Sequence, residues 1–198
     1  GFEVIKLRVD SYGRVSEKDL YAAVNSSTIL ITMMLVNNET GALYDIEAAA
    51  RAIRAVCPDA LIHCDAVQGF LRHNLPRASS GIDMISVSAH KIHGPKGVGA
   101  LIISPTAIKR RALTSVIYGG GQEDGLRAGT ENLIGIAGFG KAVNDGRTAV
   151  TLNADKLRRL YAYATERLSE LDVVLNVPER HVDHIISITV PNIKSQTM

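Results

Sequence analysis

Apolar positions recur along the chain at two different spacings. Ser16 stands three residues before Asp19, and Leu20 and Val24 follow on one face. That is the pattern of a short capped helix. Residues 28–36 form a nearly unbroken apolar, β-branched run, which predicts a buried strand. Asp45 precedes Ile46, Ala49, Ala50, Ile53 and Val56, one face of a capped helix that Pro58 ends. Residues 60–63, 83–88 and 97–103 read as further strands, the first finishing near Asp65 and the second near Lys91. Residues 4–7 read as a strand at the start. Leu133, Ile136, Gly140 and Val143 share one helical face. Leu157, Leu160, Ala164, Leu168 and Leu171 share the face of a separate long helix near 154–171. Residues 173–175 and 185–190 read as closing strands.

Strands alternating with helices predict an α/β fold with a largely parallel central sheet. The long helix is expected to connect a large domain, residues 1–150, to the start of a small C-terminal α/β domain over 151–198. Ser187 to Val190 is followed by few residues before Met198, and the chain opens at Gly1 directly into a strand pattern. Both features predict an internal fragment of a longer protein.

Composition excludes several classes. Of the 198 residues 46% are hydrophobic and 21% charged, ordinary for a globular enzyme or binding domain. A net charge of +2 with 5% aromatic residues gives no footprint for nucleic acid. No apolar run is long enough to span a membrane. Cys57 and Cys64 form no C-x-x-C and read as small buried residues of a reducing cytoplasm.

Polar residues gather just after the apolar strands, where open α/β sheets bind ligands. The first cluster is Asn37-Asn38-Glu39-Thr40-Gly41, also good turn chemistry. The second is His63-Cys64-Asp65-Ala66-Val67-Gln68. A carboxylate at a strand end either caps the next helix or meets a cation, and Asp-x-x-Gln can set two side chains on one side of a ligand. The third is Ser86 to Gly97, with Ser88, His90 and Lys91 where the chain leaves the sheet. A lysine there is either a solvated charge or a partly desolvated Schiff-base nucleophile. His90 and His93 lack a third ligand, so no metal is predicted. The fourth is Gly119-Gly120-Gly121-Gln122-Glu123, followed by Arg127 to Asn132. Thr130 lies near a helix start, a natural phosphate site, but the Gly-Lys-Ser/Thr of a P-loop is missing.

In this order and spacing the four clusters resemble the cysteine desulfurases, within the class V aminotransferase-like, fold-type I pyridoxal-phosphate enzymes. NNETG at 37–41, HCDAVQ at 63–68, SVSAHKIHGPKGVGAL at 86–101 and GGGQE…RAGTEN at 119–132 carry the resemblance. It implies the large domain of that fold and pyridoxal 5'-phosphate as cofactor. Lys91 would form the internal aldimine. Asp65 would pair with the pyridine nitrogen. Asn38 and Gln68 would contact the phenolic oxygen, and Ser88 and His90 the phosphate. Thr130 would reach the phosphate of a neighbouring subunit, which implies a homodimer. The activity implied is removal of sulfur from L-cysteine, giving L-alanine and an enzyme persulfide. The sulfur would pass to an acceptor protein, an iron–sulfur scaffold or a tRNA-thiolation relay. Neither Cys57 nor Cys64 matches the persulfide cysteine, and the carboxylate-binding arginine also has no match before Met198, so this stretch alone is expected to be inactive. The alternatives are a selenocysteine lyase or another class V relative, and a non-catalytic scaffold or pseudo-enzyme.

Overall fold

Ser16 opens the first helix by accepting a hydrogen bond from the Asp19 amide at 3.3 Å, and α1 runs over Glu17–Ala23. The computed structural model describes residues 1–194; Met198, the end of the expected fragment, lies outside them. Strand β1 (Leu30–Met34) is followed by α2 (Ile46–Val56), whose first turn is capped by Asp45 accepting from Ala48 N at 2.9 Å. Then come β2 (Leu61–Asp65), β3 (Met84–Ser88) and β4 (Gly99–Ile103). Helix α3 (Pro105–Lys109) begins with Ser104 as cap and Pro105 in its first turn, the residues that favour a helix start.

The four strands lie in the order β1-β2-β3-β4. The pairs β1–β2 and β2–β3 are parallel, and β3–β4 is antiparallel. Alternation along the strands divides the sheet into two faces. Ile62, Cys64 and Val87 face α1 and α2, and close a core with Leu20, Val24, Ile46, Ala50 and Ile53. Thr32, His63, Asp65, Ser86 and Ser88 occupy the opposite face, as the register Thr32↔His63 and Asp65↔Ser86 requires. The predicted buried strand over 28–36 is therefore shorter and one-sided: it ladders over 30–34, and Leu30 and Thr32 are exposed.

Two expectations fail on physical grounds. Residues 4–7 form no strand, and Val4 is 78% exposed; an extended run without a neighbour leaves its ladder unmade. The two helices expected after residue 132 are one, α4 (Leu133–Ser169), which starts at Asn132 with its side chain accepting from Gly135 N at 3.0 Å. The helix runs unbroken through the stretch between the two apolar faces. Glycine is tolerated where neighbours come close: a Cβ at Gly138 would lie 3.0 Å from Pro95 Cγ. The helix continues past the expected boundary at residue 150. Strands β5 (Val174–Leu175) and β6 (Ile188–Thr189) pair antiparallel, so the strand predicted over 185–190 is cut to two residues.

Candidate active site

The parallel strands deliver their polar residues to one edge. β1 ends in the loop carrying Asn37 and Asn38, β2 ends at Asp65, and β3 ends at Ser88 and runs into a 3-10 turn, Ala89–Ile92, that carries His90 and Lys91. Leu35 N donates to Asp65 O at 2.8 Å and Ala66 N to Ser86 O at 3.0 Å, so the three strand ends are tied side by side. The sequence clusters at 37–41, 63–68 and 86–97 thus share the carboxyl edge of one sheet.

Each side chain there has a local cause. Asn37 is spent on its own loop, its Oδ1 accepting from Glu39 N and Thr40 N at 2.9 Å each. Asn38 is exposed. Asp65 is half-buried, and its Oδ1 accepts from Val67 N at 3.0 Å, which aims the carboxylate back over its own turn. Gln68 is half-buried in that turn. Ser88 Oγ and His90 Nδ1 are hydrogen-bonded at 2.7 Å, which leaves His90 Nε2 available to another group. Lys91 is half-buried, and His93, which ends its turn, has φ +66.

Behind Asp65 runs a ladder across three strands. Thr32 Oγ1 and His63 Nδ1 are 2.7 Å apart, and His63 Nε2 lies 3.1 Å from Ser86 Oγ. Burial pushes the His63 imidazole below its ordinary value, against the pull of Asp65. His63 stands two residues before Asp65, on the same face, so strand alternation was the signal that would have singled it out. Cys64, between them, points into the core. Burial, with Asp65 adding to it, pushes its thiol up to about 12.

The fourth cluster stands apart. Thr130 is exposed, two residues before the cap of α4, and its carbonyl accepts from Arg127 Nη1 at 3.5 Å. Among the described residues no hydrogen bond links Thr130 to the strand-end cluster. A concavity of about 700 Å³ lies elsewhere, lined by Tyr44, His73, Arg77 and Arg180 among others. Among the described residues no group of three His, Cys, Asp or Glu is placed to hold a metal, and no helix is long and apolar enough to cross a membrane.

Two residues near the site carried no sequence signal. Arg72 Nη2 donates to the main-chain carbonyl of Lys91 at 2.9 Å. His184, far along the chain, lies near His73 with ring centroids 6.4 Å apart, and its Nε2 is buried without a hydrogen-bond partner.

The donor set fits one kind of ligand. It offers an amine for a carbonyl, a carboxylate for a ring cation, and a hydroxyl–imidazole pair for an anion. Comparison with known proteins points the same way. The family model described as aminotransferase class-V matches residues 1–198. The chain is 42% identical over 160 residues to cysteine desulfurase IscS of Anaeromyxobacter sp. (strain Fw109-5), covering 81% of this chain and 39% of that protein. It is 37% identical over 192 residues to a cysteine desulfurase of Nostoc sp., covering 97% and 45%. Among solved structures, a NifS-like protein superposes with a TM-score of 0.92 at 33% identity, covering all of this chain and 53% of that one. DndA from Streptomyces lividans gives 0.85 at 30% identity, covering 99% and 55%. The chain spans about half the length of the curated relatives it matches.

Proposed function

The chain belongs to the class-V aminotransferase family, and from that premise we propose that the whole protein is a cysteine desulfurase. It converts L-cysteine and a protein thiol to L-alanine and a persulfide. The observation that carries this reading is the meeting of Lys91, Asp65 and the Ser88–His90 pair at the ends of adjacent strands. No requirement of the fold puts an amine, a carboxylate and an anion-binding pair together there.

The family uses pyridoxal 5'-phosphate, and the residues present fit it. When bound, the cofactor supplies an electron sink for charge left at the substrate Cα. Lys91 holds it covalently. Asp65 keeps the ring nitrogen protonated, because a carboxylate beside that nitrogen stabilises the cation. Asn38 and Gln68 contact the phenolic oxygen. Ser88 and His90 bind the phosphate, and Thr130 reaches the phosphate of the other subunit in a homodimer. The Lys91 amine would take the proton from the substrate Cα and return one to the product.

The Cβ–Sγ bond of cysteine breaks as a thiolate attacks the sulfur, and the carbon is protonated to alanine. Cys64 is a poor thiolate, since its thiol is raised to about 12. Cys57 is also buried. The reading therefore assigns the attacking thiol to another cysteine of the whole protein. The persulfide passes sulfur to an acceptor protein in the cytoplasm, either an iron–sulfur scaffold or a relay to tRNA. Residues 1–150 form the cofactor-binding part, and the later half of α4 leads into the smaller domain.

The test is the absorption spectrum of the full-length protein with pyridoxal phosphate, before and after L-cysteine, beside Lys91→Ala. A band that needs Lys91 and changes as alanine and sulfide appear is expected. A Lys91-dependent band without alanine would move the reading to another reaction of the family. No band in the parent would end it.

A further inference from the structure

Residues 180–185 fold back onto the loops of the candidate site. Leu43 N donates to Arg180 O at 2.9 Å, and Val182 N donates to Gly41 O at 3.0 Å. Gly41 has φ +74, and a Cβ there would lie 3.2 Å from Ile185 Cβ. Val182 is buried in the core. The segment is thus pressed against the loop that carries Asn38. His184 then reaches the turn that follows Gln68, where it lies near His73.

That turn is tightly wound. Arg72 N and His73 N both donate to Gly69 O, at 2.9 and 2.8 Å. Leu71 within it has φ +57, a conformation that is costly for a side chain with a Cβ. The strain is held by packing: Leu71 lies where a Cβ at Gly146 of α4 would come 2.7 Å from its Cδ1. Phe70 packs edge-on against Phe139 of α4, 6.1 Å between centroids. The result of this winding is that the half-buried Arg72 faces the turn of Lys91. Carbonyls at the end of a helical turn lack partners in the helix. Lys91 O finds its partner in the Arg72 guanidinium, at 2.9 Å.

We propose that Arg72 is a positioning residue for Lys91, fixing the backbone from which the lysine side chain departs, and that His184, which lies near His73 of the same turn, backs that turn from segment 180–185. The inference rests on the cofactor reading above. Arg72 does not touch the reacting atoms. It sets the frame of the turn whose amine must meet a carbonyl carbon, a step sensitive to small displacements. The groups facing His184 are consistent with this role. Burial first, with Arg72 and His73 adding to it, opposes a charge on its ring, against the Gln68 main chain and Asp183, which favour one.

The test uses the full-length holoprotein and reads how fast the Lys91-dependent cofactor band is lost to added hydroxylamine. The parent, Arg72→Met, Arg72→Gln, Arg72→Lys and His184→Phe are compared, each with its thermal midpoint. Loss of one charged hydrogen bond predicts a rate roughly tenfold faster in Arg72→Met and Arg72→Gln. Arg72→Lys, which keeps a charged donor where Gln keeps only a neutral one, should recover most of the parent's rate, and His184→Phe should fall between. Equal rates in the parent and Arg72→Met, which has no donor, would overturn the inference while leaving the cofactor reading intact. So would a fall in thermal midpoint with no change in rate. Absence of the band in the parent would sink both.

Discussion

Asp83 and Arg54 form an ion pair beneath the strands that carry the site. Asp83 Oδ2 accepts from the Arg54 guanidinium and also from Ile62 N at 2.8 Å. Arg54 further donates to Gly81 O, Pro58 O and Ala60 O. One carboxylate thus ties α2 to the starts of β2 and β3. Asp83 is 4% exposed. Removing it would leave a desolvated cation and an unpaired amide, so Asp83→Ala should cost about 3 kcal/mol of stability. Urea unfolding of the full-length protein checks this, and Asp83→Asn should cost less because it keeps an acceptor.

His184 makes stability depend on pH. Its folded-state value, about 4, lies below the ordinary 6.5. Between those values the unfolded chain binds a proton that the folded chain refuses. The stabilisation is complete above about 6.5, declines as pH falls towards 4, and then stays constant. His184→Asn should flatten that part of the curve. Denaturant midpoints measured from pH 7.5 to about 4 compare the two slopes. Equal slopes would show that His184 is not the group responsible.

Ser88 and His90 should act on the anion as a pair. With Nδ1 engaged by Ser88 Oγ at 2.7 Å, the imidazole is held in one orientation. Ser88→Ala and His90→Phe should each weaken cofactor binding roughly tenfold, the scale of one charged hydrogen bond. Equilibrium titration with pyridoxal phosphate reads this. The double variant should lose less than the sum, since each single change already frees the other partner.

Cys64 should be silent as a nucleophile. It is fully buried and its thiol is raised to about 12. Iodoacetamide at pH 8 should leave it unmodified in the folded protein and label it once urea unfolds the chain, as mass spectrometry of its peptide would show. Cys64→Ala should leave alanine formation largely unchanged. A complete loss of turnover in a folded Cys64→Ala protein would reassign the persulfide to this residue.

The strand-end residues were legible because strand and helix periods are local. Apolar runs marked β2 and β3, and the polar residues at or just beyond their ends, Asp65 and Lys91, had to fall on the carboxyl edge. Arg72 and His184 were not legible. They lie 112 residues apart in the sequence, and what joins them is the return of residues 180–185 onto Gly41. No period or motif records such a fold-back. The misread helix has a similar cause. Near Gly146 the apolar face thins because Leu71 supplies the packing from outside, so the sequence of α4 by itself resembles two helices with a gap.

The unbroken run of α4 also fixes a phase. Its early turns meet Phe70 and Pro95 beside the site, and Tyr161, farther along, stacks on His181 at 5.0 Å between centroids. The two grips share one screw axis. One residue inserted between them would rotate the later grip by about 100° relative to the earlier one and advance it about 1.5 Å. Seven residues would come within about 20° of restoring the angle, at a displacement of about 10 Å. Spacing along this helix is therefore set by geometry, whatever side chains stand between the two grips.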